Sequence, residues 1–269
     1  MNLQKRLKGR FAVVTGASSG IGLCFCRVLA ENGCALLMVS NQREELVNAA
    51  AEIQQQYGVK AIPHYADLTD RDQLIKLIAT VDGGLSDPDI LINNAGIFSF
   101  QAVSSMKPAK IESFLRLHVD AVTMLSREFA LRFRSHGKGS ILNMSSMSCW
   151  MPMPGIALYS ATKAYIRVFS RALHYEMKES GVTITVACPG GIATDLFGLP
   201  ESLKKLAVRI GALDTPERFA RNAVKQMLRG RKQYINGFIN RLAIVIVALL
   251  PTPVRMQIKH RMLDRGIKV

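Results

Sequence analysis

Phe11-Ala12-Val13-Val14-Thr15-Gly16-Ala17-Ser18-Ser19-Gly20-Ile21-Gly22 is the stretch on which the fold turns. Its apolar opening reads as a buried strand. The glycines follow at once. Leu23 to Asn32 then runs apolar and rich in helix formers, and stops at Gly33. Strand, glycine turn and helix is the setting in which such a turn becomes a phosphate cradle. Gly16 then permits the tight turn, Gly20 lets the backbone approach a pyrophosphate, and Gly22 lets the helix close on the sheet. The helix entry, Ser18 to Gly22, offers free N–H groups and a positive dipole end to the phosphates. The spacing is G-x-x-x-G-x-G. The competing reading is a glycine-rich turn with no ligand.

Working outward, apolar runs alternate with helix-like stretches. Residues 11–14, 35–39, 61–65, 90–92, 140–144 and 182–187 read as strands. Segments near 21–32, 42–57, 70–81, 108–134, 157–180 and 215–229 read as helices. Alternating β and α predicts an α/β protein with one doubly wound parallel sheet covered on both faces. No Pro/Gly/Ser-rich linker, internal repeat or low-complexity tract divides the 269 residues. One domain over 1–269 is expected, with a basic, partly apolar extension at about 231–269. Ligands of such sheets bind beyond the carboxyl ends of the strands.

A second constellation lies in the later half. Tyr159 and Lys163 are four residues apart, with Ser146 thirteen residues upstream. On a helix, positions i and i+4 share a face, so phenol and ammonium point into one site. A nearby cation favours phenolate and lowers the tyrosine pKa from its usual value near 10. Ser146 can hold a substrate oxygen beside it. The trio makes a proton-transfer site for an alcohol or a carbonyl. By itself, Y-x-x-x-K is also what many surface helices carry.

These motifs together resemble the short-chain dehydrogenase/reductase family. T-G-x-x-x-G-x-G, then Asn93-Asn94-Ala95-Gly96, then Ser146, Tyr159 and Lys163, then Pro189-Gly190, stand in that family's order and spacing over residues 11 to about 195. The resemblance implies a Rossmann-like fold and hydride transfer to or from a nicotinamide cofactor, with Tyr159 as general acid/base, Ser146 positioning the oxygen and Lys163 tuning the tyrosine. It also implies that Lys163 and Tyr159 meet the nicotinamide ribose, that Asp67-Leu68 meets the adenine, that Asn94, Ala95, Gly96, Pro189, Gly190 and Ile192 line the cofactor, and that Thr194 meets its carboxamide end. Relatives form homodimers or homotetramers, here through the segments 108–134 and 157–180.

After the second strand, Met38-Val39-Ser40-Asn41-Gln42-Arg43 carries no carboxylate. A carboxylate there selects the ribose 2′-hydroxyl of NAD, and donors or a cation suit the 2′-phosphate of NADP. Ser40, Asn41 and Arg43 therefore favour NADP(H), with NAD the alternative. His118 departs from the family pattern, which places an asparagine there to support a water-linked proton relay to the lysine. Histidine can donate and accept hydrogen bonds; it either carries an altered relay or is simply packed.

Met147, Met151, Met153 and Trp150 cluster between Ser146 and Tyr159, and an apolar segment with glycines follows Pro189. Such residues line adaptable apolar pockets, or merely pack a loop. The first reading points to a hydrophobic keto or hydroxy substrate: fatty-acyl, sphingoid or steroid-like. The rival to catalysis is a catalytically weak dinucleotide-binding sensor or scaffold.

Five cysteines without C-x-x-C pairing read as buried thiols of a reducing cytoplasm, and no metal site is visible. The charged N-terminus does not read as a signal peptide. Of the net charge of +15, most falls in residues 201–269, with 15 Lys and Arg against 4 Asp and Glu. Within them Leu242 to Leu250 forms an apolar run of nine, half of what a spanning helix needs. It completes the fold or a subunit contact, or it lies at a membrane interface with basic flanks. Nucleic acid is disfavoured, since neither a motif nor an aromatic platform accompanies the charge.

Overall fold

The computed structural model describes residues 2–82, 88–192 and 213–264. Strands β1 (Phe11–Thr15), β2 (Ala35–Ser40), β3 (Ala61–Tyr65), β4 (Ile90–Asn93), β5 (Gly139–Met144), β6 (Val182–Ala187) and β7 (Gln233–Tyr234) form one sheet in the order 3-2-1-4-5-6-7. Every pairing is parallel. The central strands β1, β4 and β5 are buried throughout, as unbroken apolar strands must be when helices cover both faces. β3 is buried only at Ala61, then alternates half-buried and exposed positions, and carries Pro63, which an edge strand tolerates.

Alternation along the strands sorts the core into two layers. Ala12, Val14, Leu36 and Met38 face α2 (Gly20–Glu31), α3 (Arg43–Tyr57) and α8 (Pro216–Leu228). Val13, Leu37, Val39 and Leu91 face α4 (Arg71–Asp82) and α6 (Val122–Ser135). The chain order reverses between β1 and β4, so the loops after these strands part and open a crevice. α1 (Leu3–Leu7) buries Leu3 and Leu7 and ties Arg6 to the Leu228 carbonyl at 3.1 Å.

The six expected strands and the expected helices are present, with three differences. The expected helix over 108–134 is α5 (Pro108–Leu115) and α6, joined by a π-helical turn at Arg116–Ala121 that carries His118. The next, α7, spans Ala157–Glu176 and ends before a 3-10 turn at Lys178–Ser180. Residues after 231 contribute β7, α9 (Phe238–Ala248) and α10 (Thr252–Lys259). A two-residue strand is too short to show a period. A wholly apolar run has no polar positions from which a helical face can be read.

Candidate active site

A cleft of about 1010 Å³ runs across the crevice, from the glycine turn to Ser146, Tyr159 and Lys163. At one end Gly16 and Gly20 adopt φ of 64° and 54°, conformations that glycine enters without a Cβ penalty. A Cβ at Gly22 would stand 1.9 Å from the Gly16 carbonyl oxygen, so the turn closes only with glycine there. A Cβ at Gly20 would meet nothing within 4 Å, so that surface is open to the cleft. Ser19, at the helix N-cap, leaves the first turn uncapped by its side chain. Backbone donors at a helix N-terminus facing an open cradle fit a pyrophosphate.

Thr15 couples the two loops that part. Its Oγ1 accepts the Asn94 and Ala95 amides, each at 3.0 Å. The Asn94 amide group in turn donates to the Thr15 and Gly16 carbonyls at 3.1 and 3.3 Å. At the β2 end, the Ser40 hydroxyl is already engaged: it lies 2.9 Å from Ser18 Oγ and accepts the Gln42 amide at 3.2 Å. Asn41 is exposed along the cleft, and the Arg43 guanidinium is stacked 4.3 Å from the Tyr65 ring centroid. Asp67 uses Oδ1 to accept the Thr69 amide and hydroxyl, and both Asp67 and Leu68 line the cleft.

At the other end α7 presents Tyr159 and Lys163 to the same wall. Lys163 is buried, and its Nζ donates to the Met144 carbonyl at 3.0 Å. Burial pulls its pKa down to about 8. Tyr159 shifts upward rather than downward: burial of the hydroxyl outweighs the hydrogen bond with Ser146, which favours phenolate. The Lys163 ammonium sits 5.7 Å from the ring centroid. Ser146 also caps the turn that follows it, accepting the Ser148 amide at 3.1 Å, and Ser145 Oγ holds α7 by donating to the Lys163 carbonyl at 2.7 Å.

His118 is fully buried, with both ring nitrogens engaged. Nε2 lies 3.1 Å from the Ile97 amide, which can only donate, so Nε2 is unprotonated. Nδ1 lies 2.9 Å from Thr162 Oγ1, whose own hydrogen goes to the Tyr159 carbonyl at 2.9 Å. The hydroxyl must therefore accept from Nδ1–H. One neutral tautomer satisfies both contacts. Burial, with the Lys163 charge adding to it, depresses the pKa to about 2. A Cβ on Gly96 would stand 3.1 Å from Nε2 and 3.4 Å from Lys163 Nζ, so glycine permits that approach.

The methionine and tryptophan cluster lies elsewhere than expected for a pocket wall. Met151 is buried, and Trp150 packs on the Val122, Ile166, Val186 and Cys188 cluster under the Arg167 guanidinium. Apolar lining comes instead from Ile97, Phe98, Leu117 and Met144, with Phe98 edge-on to Tyr159 at 5.0 Å. Pro189, Gly190 and Ile192 line the cleft; Thr194 and Gly198 lie outside the described residues.

Sequence reasoning missed two residues that build this wall. Asn236 accepts the Gly190 amide at 2.7 Å, and Asn240, on α9, accepts the Gly191 amide at 3.3 Å. A Cβ on Gly190 would collide with the Asn240 side chain at 2.0 Å. An asparagine has no sequence signature for such a long-range contact. Residues after 231 are thus partly built into the site rather than appended to it.

A parallel doubly wound sheet with a glycine cradle and a Tyr-Lys pair across its crevice defines a dinucleotide-dependent oxidoreductase. The family model for short chain dehydrogenase matches residues 10–202, and the chain belongs to that family. It is similar to the very-long-chain 3-oxoacyl-CoA reductase of Anas platyrhynchos, 30% identical over 273 residues, covering 97% of this chain and 84% of the relative. Among solved structures it resembles a short-chain dehydrogenase from Sphingobium yanoikuyae in complex with NADPH (25% identity, TM-score 0.77, 90% of this chain and 97% of that one). It also resembles L-sorbose reductase from Gluconobacter frateurii complexed with NADPH and L-sorbose (25% identity, TM-score 0.76, 88% and 97%).

Proposed function

We propose that the protein is an NADP(H)-dependent reductase that interconverts a ketone and a secondary alcohol on a hydrophobic, lipid-like substrate. The observation that carries this is one continuous cleft, with the glycine cradle at one end and Ser146, Tyr159 and Lys163 at the other. The dinucleotide supplies the hydride when bound. In this reading the turn Gly16 to Gly22, with Ser18, Ser19 and Ile21, holds the pyrophosphate. Asn41 and Arg43 meet the 2′-phosphate, with Ser40 fixing the loop. Asp67 and Leu68 hold the adenine, and Asn94 to Gly96, Pro189, Gly190, Ile192 and Thr194 border the nicotinamide half. NADPH in two similar solved structures and the lack of a carboxylate after β2 support NADP(H) over NAD.

Tyr159 is the proton donor in reduction. Its raised pKa keeps the phenol protonated at neutral pH, ready to deliver a proton to a ketone oxygen held by Ser146. Lys163 spends one N–H on Met144, leaving two for the nicotinamide ribose and for the phenolate that forms. His118 is a positioning residue in place of a relay: with both nitrogens committed it clamps the Gly96–Ile97 backbone to α7. Ile97, Phe98, Leu117 and Met144 favour an apolar substrate, as does the similarity to the Anas very-long-chain 3-oxoacyl-CoA reductase. A homodimer or homotetramer forms through α5 to α7, where Leu131, Tyr165 and Val168 remain exposed.

Tyr159→Phe tests the assignment, because it removes the exchangeable proton and keeps the ring. Turnover of hydrophobic ketones, followed at the reduced-nicotinamide absorbance, should fall roughly 10²- to 10⁴-fold, with NADPH binding retained. Near-normal turnover would sink the assignment. Tight NADPH binding with no turnover by the native protein on any ketone or alcohol would favour the sensor or scaffold.

A further inference from the structure

α9 turns its apolar side outward. Phe238, Leu242, Val245, Ile246 and Leu249 are spaced i, i+4, i+7, i+8 and i+11, which is one helical face. They are 79%, 50%, 53%, 54% and 77% exposed. The opposite side is anchored, since Asn240 and Ile244 are buried and Asn240 grips the Gly190–Gly191 backbone. α10 leaves α9 at 101° and adds exposed Val254 and Met256. Arg255 locks the corner, donating to the Val247, Ala248 and Leu250 carbonyls and reaching Pro152 in the segment beyond Ser146. The face is therefore anchored to the Gly190–Gly191 loop, which lines the cleft.

The stretch of sequence that carries it has charge of one sign. Residues 231–263 contain Arg231, Lys232, Arg241, Arg255, Lys259 and Arg261, and neither Asp nor Glu. Contact with a second copy about a two-fold axis would set this basic stretch against itself. A wide apolar centre does not suit a phosphodiester backbone. No single described helix is long and apolar enough to cross a membrane, and the one pair that is so together, α9 with α10, is bent by 101°. An apolar helix face within a basic stretch fits the interface of an anionic bilayer, lying in its plane.

We propose that α9 and the start of α10 dock the protein on an anionic lipid surface, with the cleft beside that surface. The docking stands on these observations alone; its use, delivery of a membrane-dissolved ketone, rests on the substrate reading above. Flotation of the purified protein with phosphatidylcholine vesicles, with and without phosphatidylserine, tests it. The native protein should float with the phosphatidylserine vesicles and release at high salt. Leu242→Glu with Ile246→Glu should lower that partition at least about ten-fold, because two aliphatic chains no longer enter the interface. Arg241→Gln should lower it roughly five-fold. Both variants should keep the native circular dichroism, melting temperature and turnover of a water-soluble ketone. Three results would overturn the proposal: no flotation of the native protein, undiminished flotation of the double variant, or a double variant that falls to a smaller assembly when the native protein binds no vesicle. Flotation without turnover of vesicle-borne ketones would uphold the docking and count against the substrate class alone.

Discussion

Helices α8 and α9 are neighbours in sequence and opposites in packing. α8 mixes charged and apolar residues, and its Phe219, Ala220, Ala223, Val224 and Met227 are fully buried against α2 and the sheet. α9 is almost wholly apolar, yet most of its large side chains face outward. Thr215 caps α8 by accepting the Arg218 amide, Pro216 opens it, and its polar residues mark the face that must stay wet. α9 has no such polar face, so its orientation follows from two asparagine contacts to the Gly190–Gly191 loop. Amphipathicity orients a helix by itself; a uniformly apolar helix is oriented by its neighbours.

The sharpest test of this contrast is a large truncation inside α8. Phe219→Ala removes a ring that contacts Phe25 and Tyr234, and should cost about 3–5 kcal/mol of unfolding free energy in urea. A loss below about 1 kcal/mol would mean that α8 does not pack as described.

A buried polar group should respond in another way. The folded chain holds His118 neutral down to about pH 2, whereas the unfolded chain takes up a proton below its ordinary value of 6.5. The unfolded state then binds more protons between those values, so stability falls as pH drops through that window. Between pH 7 and pH 5 the contribution is about 2 kcal/mol. His118→Asn should remove that difference from the urea-derived pH profile. An unchanged profile would show that the ring protonates in the folded state and that the clamp is wrong.

The smallest effect belongs to α9. Leu242→Ser should change the unfolding free energy by less than about 0.5 kcal/mol in the absence of lipid. A loss comparable to that of Phe219→Ala would mean the face is covered in solution by another subunit.

Much of the site was legible because its residues act locally. Gly16, Gly20 and Gly22 close one turn, and Tyr159 and Lys163 share one helix face; neither needs a distant partner to be read. The segment Met147 to Met153 left two readings open, pocket wall or packed loop, for the opposite reason. Apolar character says that Trp150 will be covered, but whether by substrate or by Val186 and Arg167 depends on where β6 and α7 pass. The expected lowering of the Tyr159 pKa failed similarly: spacing predicts a nearby cation, and only the fold reveals how much water the hydroxyl loses.

By itself the sequence determined the strand-turn-helix entry, the alternation that makes the sheet parallel, and the family to which the chain belongs. These follow from periodicity and glycine chemistry within a few residues. Tertiary structure alone decided that His118 is locked between Ile97 and Thr162, that Asn236 and Asn240 hold the Gly190–Gly191 loop, and that most of the apolar run at 242–250 lies on α9 with an outward apolar face. Each depends on groups far apart in the chain, whose desolvation and hydrogen bonding exist only once the layers have packed.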